Sequence, residues 1–236
     1  MNAPTFRLVC ALALLTVTAL ATARGQTNTL VVPAEMADRY GPADLTAYRE
    51  NQIIYGADLF AHASEDEIIV YGVAFRLDEK RSSLNTVVPR IEIFLSTYTR
   101  SILEARPHPV WNHGPDRLRV YHGENVLLNV SRNTSPNDFG VAFQFQQPFV
   151  YDRRSGHLVL DFNVSFGVES PLVFDVAATL ANDSQLIRGA FEGYGIQELK
   201  GFLFPARFEY VPIPEPSVSA LLSIWVLVCG RFWKKS

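Results

Sequence analysis

The segment Leu158-Val-Leu-Asp-Phe-Asn-Val-Ser-Phe166 has a large apolar residue at every second position, with Asp161 and Asn163 among the residues between them. A helix would point these apolar side chains in several directions, whereas a strand places all of them on one face. The segment Val141-Ala-Phe-Gln-Phe-Gln146 alternates in the same way. The spacing therefore predicts two β-strands, each with one face buried in an apolar core.

The chain between these two strands has the composition of a turn. Asp152-Arg-Arg-Ser-Gly156 combines polar turn residues with a glycine that can adopt positive φ. We therefore expect residues 139–166 to form a hairpin-like pair with its loop near residues 153–156.

Alternation of period two extends outward along the chain. In residues 69–77 the large side chains of Ile69, Tyr71, Val73, Phe75 and Leu77 are predicted to share one face, the core face. Further strands are predicted at residues 91–95, 118–121, 126–130, 172–179, 186–191 and 202–211, and a short helical turn at residues 44–51. Many short strands without a strong helix predict an all-β protein, a single antiparallel β-sandwich of jelly-roll-like type.

The N-terminus has the order of a secretory signal peptide. Arg7 is followed by an apolar run from Leu8 to Ala21 and by small residues around Ala23. The run is shorter than the roughly 20 residues that span a bilayer, so we expect residues 1–25 to be a signal peptide that is cleaved after Ala21, Ala23 or Gly25. The alternative is a membrane anchor that stays attached.

The remainder of the chain is acidic and has no cysteine. Five of the 21 Lys and Arg residues lie in the two ends, whereas all 24 Asp and Glu residues lie between Gln26 and Glu215. The part between the ends therefore has 16 basic and 24 acidic residues, a formal charge of −8. An acidic domain has no electrostatic drive towards nucleic acid, so we expect no nucleic-acid partner. Cys10 and Cys229 lie in the terminal segments, which excludes disulfides and cysteine metal sites from residues 26–211.

The C-terminal residues 212–236 have three parts. A proline-rich spacer contains Pro214, Glu215 and Pro216, an apolar run covers residues 218–230, and Arg231, Lys234 and Lys235 follow. As a helix the apolar run spans roughly 20 Å, against a hydrocarbon core of about 30 Å. We predict a transmembrane helix at residues 218–230, with the basic residues in the cytoplasm and the β-domain, residues 26–211, outside. A permanent anchor is the alternative to a segment that is removed.

This tail resembles the PEP-CTERM sorting signal of exported bacterial proteins. Pro214-Glu215-Pro216 matches the three motif residues, and the apolar run and the basic end follow in the same order. The resemblance implies that an exosortase, a multi-spanning membrane protease, processes the tail near the motif. The tail departs from the most typical pattern in its short apolar run and in its basic cluster, which Phe232 and Trp233 split.

Short segments of the body resemble, in order, a recurrent ectodomain that precedes PEP-CTERM tails. They are Tyr48-Arg-Glu-Asn-Gln-Ile-Ile-Tyr-Gly-Ala-Asp-Leu-Phe60, Ile91-Glu-Ile-Phe-Leu-Ser-Thr97, Pro136-Asn-Asp-Phe139, Pro148-Phe-Val-Tyr-Asp152 and Gly156-His-Leu-Val-Leu-Asp161. The resemblance implies an exported β-domain and assigns it no enzymatic activity.

Candidate chemical groups in the body are few. His108 and His113, with Asp116 nearby, lack an H-E-x-x-H or His-x-His pattern, and we expect solvated loop histidines rather than a metal site. The acidic turns at residues 65–67 and 78–79 are expected to be solvated. A Ca²⁺ site there or at residues 182–183, or a pair of glycosidase carboxylates, is the alternative. No G-x-S-x-G, P-loop or G-x-G-x-x-G occurs, so we predict no catalytic residue, metal or cofactor.

The sequence as a whole predicts a non-catalytic cell-envelope or extracellular-matrix protein. The expected partners are the exosortase, the membrane that holds residues 218–230 and an extracellular polysaccharide. The expected location is the membrane before processing and the cell surface or extracellular space afterwards. The alternative is a carbohydrate-binding or carbohydrate-active domain. The aromatic residues that would stack on sugar rings in that case, although core packing is their commoner role, are Tyr55, Trp111, Tyr121 and Tyr151.

Overall fold

The structure is a computed structural model that describes residues 27–38, 43–46, 50–78, 83–105, 112–131, 138–165, 173–178, 185–191, 195–200 and 202–213. The predicted signal peptide, sorting motif, transmembrane helix and basic end lie outside these residues. Among the described residues, no helix has the length and apolar character needed to cross a bilayer.

The described residues form thirteen strands and three short 3₁₀ helices, at Ala34–Met36, Ala57–Phe60 and Ile102–Glu104. In chain order the strands are β1 (Asn28–Val32), β2 (Ala43–Thr46), β3 (Glu50–Tyr55), β4 (Glu67–Phe75), β5 (Ser83–Tyr98), β6 (Leu118–Ser131), β7 (Val141–Asp152), β8 (His157–Val164), β9 (Val173–Ala178), β10 (Gln185–Phe191), β11 (Gly195–Lys200), β12 (Phe202–Leu203) and β13 (Ala206–Pro212). They form a four-stranded sheet in the order β1-β13-β4-β7 and a six-stranded sheet in the order β11-β10-β3-β8-β5-β6. A three-stranded sheet has the order β12-β9-β2, and the paired strands of all three sheets are antiparallel.

Aromatic side chains from the two large sheets meet in one core. Phe75 of β4 packs on Phe162 of β8 with ring centroids 5.4 Å apart, and Phe143 of β7 contacts Phe162 at 5.6 Å. Phe208 of β13 packs edge-on against Tyr55 of β3 at 5.4 Å. None of these residues is more than 3% exposed, so the core is stabilised mainly by apolar burial. These contacts confirm the prediction of an all-β, sandwich-like fold.

The predicted hairpin of residues 139–166 is wrong. β7 pairs with β4 in the four-stranded sheet, whereas β8 pairs with β3 and β5 in the six-stranded sheet. The turn between them is closed by a hydrogen bond from the Ser155 N–H to the Asp152 carbonyl (3.0 Å), and it carries the chain from one sheet to the other. A period-two pattern identifies the buried face of a strand but not its neighbour, and here the two apolar faces meet across the core.

A β-bulge reverses the faces of β4 along its length. Val70 and Phe75 are both fully buried although they are five positions apart along the strand. Tyr71 is the extra residue, because the register of β4 against β13 shifts at this point. The prediction that Ile69 and Tyr71 share the core face with Phe75 is therefore wrong, since one inserted residue moves the alternation to the other face.

Other elements differ from their predictions in length or type. The predicted segments 118–121 and 126–130 are one strand, β6, and residues 91–95 belong to β5, which begins at Ser83. The described part of residues 44–51 contains β2 and the start of β3, so the predicted helical turn is wrong. Residues 202–211 contain both β12 and β13. The alternation does not predict β1 or β11.

The connection between β5 and β6 folds back over the outer face of the six-stranded sheet. Ile102 and Ala105 pack with Ile54 of β3, Tyr98 of β5 and Val159 of β8 in a second, smaller apolar cluster. None of the five is more than 7% exposed. The outer face of the sheet is therefore closed at this point, and polar groups on the same face lie in a sheltered environment.

Candidate functional site

A buried carboxylate, that of Asp161 in β8, lies at the centre of a polar cluster between the six-stranded sheet and the β5–β6 connection. The residue is only 4% exposed. Its Oδ1 accepts a hydrogen bond from Nε2 of Gln52 at 2.8 Å. Its Oδ2 lies 3.1 Å from Nε2 of His113 and 3.4 Å from a guanidinium nitrogen of Arg117. A buried charge needs partners of this kind, because it has lost the water that would otherwise solvate it.

Alternation along the central strands determines where the cluster forms. Leu160 of β8 faces the main core, so the next residue, Asp161, faces outward. The same alternation puts Gln52 of β3 and Ser96 of β5 on the outer face, and Gln52 is the direct Cα partner of Asp161. Residues 112–117, the crossing segment, lie over these side chains. The side-chain amide of fully buried Asn112 donates to Oε1 of Gln52 at 2.8 Å.

His113 joins the crossing segment to the sheet at two points. Its Nε2 is 3.1 Å from the Asp161 carboxylate, and its Nδ1 is 3.3 Å from Oγ of Ser96. Burial, together with the neighbouring guanidinium of Arg117, lowers the pKa of His113 to about 4. The imidazole is therefore neutral at pH 7, and its contacts assign the proton to Nε2, which donates to Asp161, while Nδ1 accepts from Ser96.

Three further contacts hold the rest of the crossing segment against β5. The guanidinium carbon of Arg117 lies 3.9 Å from the centroid of the Phe94 ring, a cation–π contact. The backbone N–H of Thr97 donates to Oδ1 of Asp116 at 2.9 Å. Gly114 passes so close to β5 that a Cβ there would lie 2.1 Å from the Thr97 carbonyl oxygen. Close backbone approach at Gly114 is therefore part of the attachment.

Ser96, His113 and Asp161 have the residue types of a serine nucleophile, its general base and an orienting carboxylate. The structure does not give them that role, because Ser96 is 0% exposed and a nucleophile must contact its substrate. The His113 side chain is itself only 12% exposed. What the closed cluster does chemically is to attach the crossing segment to β3, β5 and β8.

Beyond the crossing segment, the outer face of the six-stranded sheet carries charged side chains that reach solvent. Glu92 of β5 lies 3.1 Å from Arg119 and 3.4 Å from His122, both on β6. Arg90 lies 3.9 Å from the other carboxylate oxygen of Glu92. Arg90 and Arg119 are more than half exposed, at 57% and 54%. These four residues form an open polar shelf beside the closed cluster.

The predicted metal candidates His113 and Asp116 lie in the crossing segment but bind different partners. His113 contacts Asp161 and Ser96, so the expectation of a solvated loop histidine is wrong for this residue. Within the described residues, no three His, Cys, Asp or Glu side chains are placed to hold a metal ion. The remaining candidates outside the described residues are His108, Trp111, the sorting motif Pro214, Glu215 and Pro216, and the basic residues Arg231, Lys234 and Lys235.

Most of the described acidic-turn and aromatic candidates are paired or buried within the domain. Asp66 accepts a hydrogen bond from Nε of Arg153 at 2.5 Å. Asp78 is only 6% exposed, so the expectation of a solvated turn is wrong there. Tyr55 and Tyr151 are fully buried, and neither ring offers a face to a sugar.

The sequence does not identify most members of the polar cluster, namely Gln52, Ser96, Asn112 and Asp161. The one signal for them is a polar residue inside an otherwise apolar strand, such as Asp161 within Leu158-Val-Leu-Asp-Phe162. That signal identifies an outward-facing residue but not the segment that covers it.

No protein-family model, curated protein or solved structure matches this chain.

Proposed function

We propose that this protein is an exported cell-envelope or extracellular-matrix protein whose β-domain has a structural or adhesive, non-catalytic role. The observation that carries the proposal is the tripartite tail, in which Pro214-Glu215-Pro216 precedes the apolar run at residues 218–230 and the basic end. The signal-peptide pattern at the other terminus supports the same conclusion. Further support comes from Ser96, because the arrangement nearest to a catalytic triad is sealed beneath the crossing segment.

The proposed route places the domain outside the cell. Residues 218–230 insert in the membrane, and Arg231, Lys234 and Lys235 stay on the cytoplasmic side. An exosortase-type protease then acts near Pro214-Glu215-Pro216 and releases the domain to the cell surface or the extracellular space.

We infer further that the domain is a jelly roll. The two facing sheets have ten strands, of which β10 and β11 extend one edge of the six-stranded sheet. The other eight are β1, β3, β4, β5, β6, β7, β8 and β13. If they are renumbered one to eight in chain order, the sheets have the orders 1-8-3-6 and 2-7-4-5. This order supports the inference, because jelly rolls pair their strands in this double Greek-key pattern. A jelly roll is a scaffold of surface and lectin domains, so it suits display outside the cell.

The sorting proposal is tested by replacing Pro214, Glu215 and Pro216 together with alanine in the full chain. Pro212→Ala is the matched control, since it changes a neighbouring proline outside the motif. In a host that has an exosortase, we expect the triple variant to accumulate as a longer, membrane-bound form and the control to be processed. An unchanged mature mass and location for the triple variant would contradict the proposal.

Carbohydrate binding is the second candidate, and the polar shelf is the observation that favours it. Arg90, Glu92, Arg119 and His122 present donors and acceptors at a partly exposed face, which is the chemistry that sugar hydroxyls need. A glycan array with purified residues 27–213 and with its Glu92→Ala variant separates the candidates. Binding that the variant abolishes would establish the second function, and silence of both proteins would favour the first. Turnover of a polysaccharide would exclude a non-catalytic role.

A further inference from the structure

An apolar row crosses the outer face of the four-stranded sheet near the point where the chain leaves the domain. Val211 of β13 is the Cα partner of Ile69 of β4, and Ile69 is the partner of Val150 of β7. The three side chains therefore stand next to one another on adjacent strands, about 5 Å apart. Val150 is 52% exposed, and Ile69 and Val211 are half-buried. We name these three residues the exit row.

The chain stays fixed to the sheet for two residues beyond the row. The N–H of Ile213 donates to the carbonyl of Glu67 at 3.0 Å. Only residues 214–217 then separate Ile213 from Val218, the first residue of the apolar run. Four residues and the bond to the next reach at most about 18 Å when fully extended.

The short spacer limits how far the domain can lie from a membrane that holds residues 218–230. The polar headgroup layer on each side of a bilayer is about 5–8 Å thick. If Val218 lies at the hydrocarbon boundary, Ile213 is within about 18 Å of that boundary even with a straight spacer. A spacer that runs at an angle brings the end of the domain against the headgroups.

Both signs of charge are present at this end of the domain, because Glu67 is the Cα partner of Asp152 and two arginines, Arg153 and Arg154, follow along the chain. Although the exported part is acidic, Asp66 is paired with Arg153, and Asp152 accepts from Nε of Arg154 at 2.9 Å. The Arg154 side chain is 55% exposed, and its guanidinium contacts the carboxylates of Asp152 and Asp66. The exit row thus combines apolar side chains with nearby arginines, as interfacial surfaces do.

We propose that the exit row and Ile213 lie against the lipid surface while the tail is inserted, so that the four-stranded sheet faces the membrane. This inference rests on the proposed membrane insertion of residues 218–230. It specifies which face of the domain contacts the bilayer. The partner of that face is the lipid headgroups and the upper part of the acyl chains. The six-stranded sheet, with its polar shelf, then faces away from the membrane and towards extracellular material.

The test compares two exposed apolar sites at opposite ends of the sandwich. In the full chain with Cys10→Ser and Cys229→Ser, a single cysteine replaces either Val150 or Leu127, which are 52% and 62% exposed. Leu127 lies on β6, nine residues from Leu118, which is roughly 30 Å along the strand from the membrane-facing end. Each cysteine carries a fluorophore, and the protein is reconstituted in phosphatidylcholine–phosphatidylglycerol vesicles with a headgroup-attached quencher.

We expect the fluorophore at Val150 to be quenched at least threefold more strongly than the one at Leu127. If the protein floats with the vesicles but the two sites are quenched equally or not at all, the exit row does not face lipid and only this inference fails. If the protein does not float with the vesicles, the insertion step of the proposed function fails as well. Energy transfer between Val150 labels on two copies, without quenching, would instead identify a second copy of the chain as the partner.

Discussion

The Asp161 carboxylate lies in a nearly closed site, where three neighbouring groups replace the water that it loses. Gln52, His113 and Arg117 reach its two oxygens from β3 and from the crossing segment. Asp161→Ala removes the shared acceptor and leaves buried donors without their partner. We expect the free energy of unfolding to fall by about 3–5 kcal/mol, measured by urea denaturation.

Glu124→Gln provides the control for this measurement. The Glu124 side chain is 71% exposed, and its contact with His122 is long, at 3.8 Å. We therefore expect its replacement to change stability by less than about 0.5 kcal/mol. If Asp161→Ala costs no more than this control, the cluster does not hold the crossing segment on the sheet.

His113 makes stability depend on pH within a window that its lowered pKa defines. The pKa falls from 6.5 to about 4 on folding, so between these values the unfolded chain binds a proton that the folded protein excludes. The free energy of unfolding therefore decreases as the pH is lowered from about 6.5 to about 4. Burial also lowers the pKa of His157, which acts in the same direction.

The expected result is that His113→Gln removes part, but not all, of this decrease. Exposed His62→Gln serves as the control for replacing a histidine by glutamine. Urea denaturation at several pH values between about 7 and 4 measures the effect. Identical pH profiles for wild type and His113→Gln would show that the histidine titrates alike in the folded and unfolded states.

At the residue scale, the sequence predicts the direction of a side chain better than its burial. Alternation correctly places Asp161 on the face opposite Leu160. The same alternation leaves Asp161 looking solvated, because nothing local indicates that residues 112–117 return to cover it. His113 has the same difficulty. It lies between two prolines in the sequence and looks exposed until its distant partner, Asp161, is known. Long-range contacts of this kind are decided by packing, which a single sequence does not display.

At the scale of elements, the side chain of Gln146 on β7 links β7 to the backbone of β6, the edge strand of the other sheet. Its amide nitrogen donates to the His122 carbonyl at 2.7 Å, and its Oε1 accepts from the His122 N–H at 3.2 Å. The side-chain amide thus takes the place of a neighbouring strand on the edge strand β6. We expect Gln146→Ala to cost about 1–2 kcal/mol and to accelerate hydrogen exchange at the His122 amide.

Gln147→Ala tests whether the effect belongs to this contact. Gln147 is an exposed neighbour on the same strand, so its truncation should leave the His122 amide protected. Exchange at His122 that is equally fast in both variants, or unchanged in both, would mean that the link between β7 and β6 does not depend on the Gln146 amide.

The strands themselves are the part of the fold that the sequence predicts best. Their apolar residues repeat with period two, and that period directly reflects the pleat of the chain. The period does not predict that β7 and β8 lie in different sheets. A strand with one apolar face can pair with its neighbour in one sheet or pack against it across the core. The sequence does not predict the bulge at Tyr71 either, because the polar hydroxyl and aromatic ring of a tyrosine suit either face of β4.

At the scale of the whole molecule, the two ends of the described domain are joined in one sheet. β13 lies between β1 and β4, so the last described strand pairs with the first described strand. The register runs from Asn28 opposite Tyr210 to Val32 opposite Ala206. The four-stranded sheet therefore depends on β13, which is the last strand that the structure describes. The last described residue, Ile213, is itself bonded to this sheet through the carbonyl of Glu67.

A pair of truncations tests this dependence. Ending the chain after residue 213 keeps β13 and its final hydrogen bond from Ile213 to Glu67. Ending it after residue 205 removes the buried side chains of Phe208 and Tyr210 and leaves β1 and β4 without their shared neighbour. The two aromatic residues alone account for about 6–10 kcal/mol, comparable with the whole stability of a typical domain. We therefore expect residues 27–213 to unfold cooperatively in urea with the circular dichroism of β-structure, and residues 27–205 to show no cooperative transition. A cooperative transition in the shorter fragment would mean that the six-stranded sheet folds without the four-stranded one, and that the tail leaves a strand the domain does not need.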